Sequence, residues 1–358
     1  MQSSYDPSEV TFLLTDLSDV ALELDTATRE QAIQSGRNYA EMLPIEYAPP
    51  AGYLALFEAL VTTTAQRTAE LVGLVCEQVL DAVGPDLTLV SLARAGTPVG
   101  ILMRRWFTER HHLEVPHFSV SIVRGIGIDT VALAHVTDRR AAKRVVFVDG
   151  WTGKGAIVTE LREAVAELDV GARLAVLADP GRCADFFGAR TDELLASACL
   201  NSTVCGLISR TVFNRELLAP EDFHGAKVYA ELAAHDRSAM FLDAVSSYFP
   251  CVASEVERSW RSVRDGDRAM DFAGADEVRR IQEQYALPSW HLVKPGVGET
   301  TRVLLRRMPW KVLVHPAARD RLRHVLLLAA DRGVEVVEDS SLRYACMGLI
   351  APLEPGDA

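Results

Sequence analysis

The stretch Val145-Val146-Phe147-Val148-Asp149-Gly150-Trp151-Thr152-Gly153-Lys154-Gly155-Ala156 decides the reading of this chain. Four consecutive apolar residues predict a strand buried on both faces, as in a parallel sheet. An acid follows at the strand's end, then a turn with three glycines, then a helical pattern from Ala156. Such a turn is an anion cradle, because amides at a helix start point outward and that end of the helix carries partial positive charge. Glycine lets the backbone approach closely and take positive φ. Asp149 is placed to accept hydrogen bonds from sugar hydroxyls. Two nucleotide motifs fail on spacing. Only Trp151 and Thr152 separate Gly150 from Gly153-Lys154, where a Walker A loop needs about four residues, and Gly155 stands where Ser or Thr should follow the Lys. No G-x-G-x-x-G follows the strand. An ordinary strand-to-helix turn remains the bland alternative.

Outward from this stretch the chain repeats strand, turn and helix. Residues 87–92 predict a strand, Arg94-Ala95-Gly96 a turn, and residues 99–108 a helix. Residues 117–123 predict a further strand, followed by Arg124-Gly125-Ile126-Gly127, which reads as a mobile loop with glycine hinges or as a plain hairpin turn. The charge run 138–144 reads as a solvated loop or short helix. After the key turn a helix is expected over 156–168, with Ile157, Leu161, Ala164 and Leu168 on one face, then a strand over 173–178 ending at Asp179. Ligands bind outside the carboxyl ends of such strands, which makes Asp179 a candidate for the acceptor side of a site. Residues 5–83 read as mostly helical, with Leu56, Leu60, Leu71, Val72, Val75 and Val79 at helical intervals, and form a cover over the sheet.

A chain of 358 residues and 49% apolar content can bury ordinary cores and suggests two domains or one with an appendage. Its net charge of −12 is not that of a generic nucleic-acid binder. No run of 18 or more apolar residues predicts a membrane span, and the N-terminus lacks the basic start and apolar core of a signal peptide. Six scattered cysteines without a C-x-x-C pair fit a reducing cytoplasm, and no Cys/His spacing predicts a metal site. Cys205, between Val204 and Gly206 in an apolar run, reads as a core thiol without a local nucleophile signature.

Taken in order, Arg94-Ala95-Gly96, Arg124-Gly125 and the run from Asp149 to Ala156 resemble the type I phosphoribosyltransferases. The resemblance implies that Asp149 holds ribose hydroxyls and that Thr152, Gly153, Lys154, Gly155 and Ala156 bind the 5-phosphate. It implies that Arg94, Ala95, Gly96 and Arg124 bind pyrophosphate bridged by Mg²⁺. Gly150 departs from that family, which has a second acid there. The runs Leu200-Asn201-Ser202-Thr203-Val204-Cys205-Gly206 and Asp222-Phe223-His224-Gly225-Ala226-Lys227 extend the likeness. They resemble a bacterial family in which a phosphoribosyltransferase-like domain is joined to a Pelota-type RNA-binding domain. That family is associated with tellurium-resistance and stress operons and is also labelled cysteine protease StiP.

Beyond residue 288 the pattern changes. A helix over 300–308, strands over 310–314 and 334–337, a helix over 317–332 and a last short helix from Ser340 predict a small α/β sandwich. It resembles the Pelota and kink-turn-binding ribosomal-protein fold, whose RNA-facing segment would correspond to Gly296, Gly298, Glu299, Thr301 and Arg302. From 290 to 350 ten Lys and Arg face six Asp and Glu, a cationic surplus that suits phosphates. The expectation is an α/β protein with three parts: a helical cover (1–84), a parallel-sheet phosphoribosyltransferase-like core (85–287) and a Pelota-like RNA-binding domain (288–358). The expected activity is phosphoribosyl transfer between phosphoribosyl pyrophosphate and a base-like or nucleoside-like acceptor, in a cytoplasmic stress context, with structured RNA as a partner and a homodimer admitted. A nucleotide sensor without catalysis and a cysteine hydrolase are the alternatives.

Overall fold

In a computed structural model the protein is described over residues 1–34, 36, 38–123, 125–138, 141–166, 168 and 170–352. The quoted run forms β5 of a mixed α/β unit. In chain order this unit comprises β1 (Thr11–Leu13), α1 (Ala51–Val83), β2 (Thr88–Ala93), α2 (Gly96–His111), β3 (His117–Val123), β4 (Gly127–Ile128), α3 (Thr130–Thr137), β5 (Val145–Trp151), α4 (Ala156–Val165), β6 (Leu174–Ala178) and β7 (Phe186–Ala189). Helices α5 (Ser238–Ser246) and α6 (Phe249–Asp265) complete it. Among the described residues the strands make one sheet in the order β1-β3-β2-β5-β6-β7, parallel throughout, with β4 folded back antiparallel on β3.

Both faces of β5 are covered, which explains its unbroken apolar run. Val146 and Val148 join Phe57, Val72, Val75, Ile101 and Val252 in the core under α1, α2 and α6. Val145 and Phe147 join Leu133, Val136, Val158 and Leu161 under α3 and α4. The 33-residue α1 has Pro50 at its N-cap and ends at Gly84, whose φ of 86° only glycine takes easily. Strand order reverses between β2 and β5: the chain leaves β2 for β3 on one side and returns to β5 on the other. A crevice opens there at the carboxyl ends of the strands.

The second unit follows residues 266–272. It holds α7 (Ala273–Gln284), β8 (Val293–Pro295), α8 (Val297–Arg306), β9 (Pro309–Val314), α9 (Arg323–Asp331), β10 (Glu335–Glu338) and β11 (Cys346–Ile350). Its four-stranded sheet runs β8-β11-β9-β10, with β9 and β10 parallel and the other pairs antiparallel.

Three local expectations need correction. The N-terminal cover is not helical throughout, because Thr11–Leu13 adds the edge strand β1 beside β3. The loop after β3 is the hairpin: Gly127 and Ile128 pair with Val123 and Ile122. No helix starts at Ser340; the chain turns there on the Asp339 carboxylate, which accepts from the Ser341 amide and hydroxyl, and then enters β11. Among the described residues no helix is long and apolar enough to cross a membrane.

Candidate active site

The crevice at the β2–β5 reversal is a cavity of about 700 Å³, floored by the strand ends and roofed by the C-terminal unit. Among the described residues its walls carry Arg29, Arg94, Lys154, Arg210, Lys294, Arg302 and Arg307 against only Asp149 and Glu299. A chain of strongly negative net charge therefore concentrates positive charge in one cleft, which focuses the field on an anionic ligand.

Asp149, at the end of β5, lines the cavity and accepts the Gly150 amide at 2.7 Å. Burial pushes its pKa up to about 6, against the pull of the Gly150 amide and Arg302 and with a further push from Glu299. Burial also opposes ionisation of Glu299. Arg302, Lys294 and Lys154 outweigh it, and the Glu299 pKa lies below its ordinary value. Arg302 donates to Glu299 at 3.0 Å and lies 4.7 Å over the Trp151 ring.

Of the residues singled out in the sequence, Asp149, Arg94, Ala95, Thr152 to Ala156, Glu299 and Arg302 line this cavity. The roles of some differ from those expected. Lys154 turns into the second unit, where its ammonium donates to the carbonyls of Trp290 at 2.9 Å and Val293 at 3.5 Å and sits over the Trp290 ring. The Thr152 hydroxyl donates to Asp179 at 2.5 Å and accepts from the Gly181 amide. Gly155 takes φ 83° at the head of α4, which no side chain caps, so its first amides stay open to the cavity.

Other candidates lie elsewhere. Gly96 is packed against β5; a Cβ there would stand 2.1 Å from the Val148 carbonyl oxygen, so its glycine serves close helix–sheet contact. Asp179 is fully buried and saturated: it accepts from Thr152, from the amides of Cys183 and Ala184, and from Arg190. It holds the loop after β6 together and is not among the residues that line the cavity. Thr301 points into its own unit, donating to the Val297 carbonyl and meeting His324. Arg124 lies outside the described residues. His224 and Lys227 are tied to Ser121 and to Glu23 with Val20, away from the cavity.

Two further contributors are Arg210, which the run around Cys205 offers only as a polar residue flanking the core, and Asp192, which no sequence signal singles out. Arg210 lines the cavity, stacked 4.6 Å over Tyr39 and donating to the Tyr39 and Met42 carbonyls; burial lowers its pKa to about 10. Asp192, on the loop after β7, seats the C-terminal unit. Its carboxylate accepts the Val297 amide at 3.2 Å and the Ala345 amide at 2.9 Å, and burial raises its pKa to about 6. No local pattern announces either, since their partners lie more than a hundred residues away.

Among the described residues no three His, Cys, Asp or Glu side chains converge, and Gly150 stands where a second acid would be.

A family model described as tellurite-like stress resistance cysteine protease StiP matches residues 3–246, and a PELOTA RNA binding domain model matches residues 272–352. A relative from Acinetobacter baylyi named cysteine protease StiP is 31% identical over 370 residues, covering 99% of this chain and 95% of its own. These matches overturn the expected phosphoribosyl transfer. Family and relative are described as cysteine proteases, which are hydrolases, so the transferase reading falls together with its phosphoribosyl pyrophosphate donor and Mg²⁺. The cysteine hydrolase alternative is the one the matches favour.

Proposed function

Because the chain belongs to the StiP family, with a PELOTA domain at its C-terminal end, we propose that it is a cysteine-dependent hydrolase working at the cavity between its two units. The supporting observation is the position of Cys183. Its sulfur lies 3.7 Å from where a Cβ on Gly155 would stand, directly behind the turn that floors the cavity. The other thiols are placed less well. Cys76 is buried in α1, Cys199 and Cys205 belong to the core beneath it, Cys346 opens β11, and Cys251 is exposed on α6.

The nucleophile is a thiolate, and the closed arrangement holds Cys183 as a thiol. Burial pushes its pKa up to about 12 and Asp179 adds to this, while Thr152, Arg162 and Arg190 pull the other way. Phe272 covers the same spot, since a Cβ on Gly155 would meet its ring at 2.7 Å. The structure is thus read as a resting state: withdrawal of Phe272 relieves the burial of the thiol, the largest cause of its raised pKa, and leaves Thr152, Arg162 and Arg190 to favour the thiolate against Asp179. The open amides at the head of α4 suit a developing oxyanion. Asp149, with a pKa near 6, is a cavity group able to take and return a proton near neutrality. The cationic walls favour an acidic or phosphorylated substrate, and the PELOTA unit adds structured RNA as a partner. Free cysteines support a reducing cytoplasm as the compartment.

The test is cleavage of a quenched fluorescent peptide library by the full chain. Cys183→Ala should lower turnover by roughly a thousand-fold or more with an unchanged circular dichroism spectrum, and Cys205→Ala should retain it. Undiminished turnover in Cys183→Ala would remove the assignment.

A further inference from the structure

The start of α8, where the PELOTA unit would meet RNA, is not open to solvent. It forms the roof of the cavity. Gly298 rests on the indole of Trp151 so closely that a Cβ would stand 2.3 Å from the ring. Glu299 and Arg302 point into the cavity. Asp192 accepts the Val297 amide at the helix head and the Ala345 amide beside it, Lys154 holds the Trp290 and Val293 carbonyls, and the Tyr344 hydroxyl donates to the Gly153 carbonyl at 3.2 Å. A carboxylate from the first unit thus sits where an RNA phosphate would bind a helix start.

We propose that RNA binding by the C-terminal unit and closure of the cavity are mutually exclusive, so that structured RNA is the partner that opens the site. One helix face cannot serve both contacts. Lifting α8 removes the roof, and lifting α7 with it draws Phe272, the residue before α7, off the Gly155–Cys183 contact. The consequence for catalysis rests on the hydrolase reading above; the competition itself does not. By linkage, whatever holds the unit closed weakens RNA binding by the same factor.

The experiment uses the full chain and a fluorescein-labelled RNA stem interrupted by an internal loop. Binding is followed by anisotropy, and hydrogen exchange is read at the Val297 and Ala345 amides. Asp192→Ala and, from a separate point of the seat, Lys154→Met should each bind this RNA about ten-fold more tightly than wild type. Saturating RNA should strip protection from both amides in the wild type. Equal affinity in all three chains, protection unchanged with RNA bound, or no association with any of them would overturn the proposal. Amide opening without any rise in peptide cleavage would leave the competition standing and remove the hydrolase reading instead.

Discussion

At the residue scale the site turns on two acids whose pKa burial raises: Asp149 in the cavity wall and Asp192 under the seat of its roof. Asp149 and Asp192 both have pKa values of about 6 in the fold, against an ordinary 3.8. A raised carboxyl favours its protonated form in the folded state. Its contribution to stability is therefore complete below about pH 4 and is lost as the pH rises through 6. Asp149→Asn is neutral at every pH, so its melting temperature should exceed that of wild type at pH 7.5 and should vary less between pH 4 and 7. A melting profile parallel to wild type would contradict the raised pKa of Asp149. Gly96 makes a different point. With a Cβ forced to 2.1 Å from a backbone oxygen, Gly96→Ala must push α2 off β5, and urea unfolding should show a loss of about 3 kcal/mol. The Arg-x-Gly turn is therefore explained by packing, whatever Arg94 binds.

At the element scale, α8 shows how one helix divides its duties. Successive side chains turn by about 100°, so neighbours face different partners. Gly298, Glu299 and Arg302 face the first unit, while Thr300 and Thr301 are fully buried in their own. Thr301→Val should leave association with the stem–internal-loop RNA within about two-fold of wild type. It should also lower stability by about 1 kcal/mol, through loss of the hydroxyl's bonds to Val297 and His324. A marked loss of RNA binding would restore Thr301 to the nucleic-acid face. Strand β5 is the simpler case. Its apolar run reads correctly because a strand covered on both faces has no polar alternation to disguise it.

At the scale of the whole molecule, a chain of charge −12 gathers, among the described residues, seven cations around one cavity with two carboxylates. Attraction of that kind is screened by salt. Raising ionic strength from about 0.05 to 0.5 M, over which the screening length falls several-fold, should raise KM for an acidic peptide several-fold. The kcat and the KM for a neutral peptide should stay nearly constant. Equal salt responses for both peptides would show that the cationic walls do not select the substrate. The sequence alone determined the strands β2, β3, β5, β6 and β9, the glycine-rich turn, Asp149 at its edge and the small second unit, and its motifs led to the family. Each depends on local spacing: apolar runs, turn residues and helix starts are contacts between near neighbours in the chain. Tertiary structure alone decided that Lys154 and Tyr344 hold the two units together and that Asp179 is saturated. It likewise placed Asp192 at the head of α8 and Cys183 behind the turn. Those facts rest on pairs far apart in sequence, and a side chain's charge, exposure and reactivity are set by the neighbours that folding brings to it.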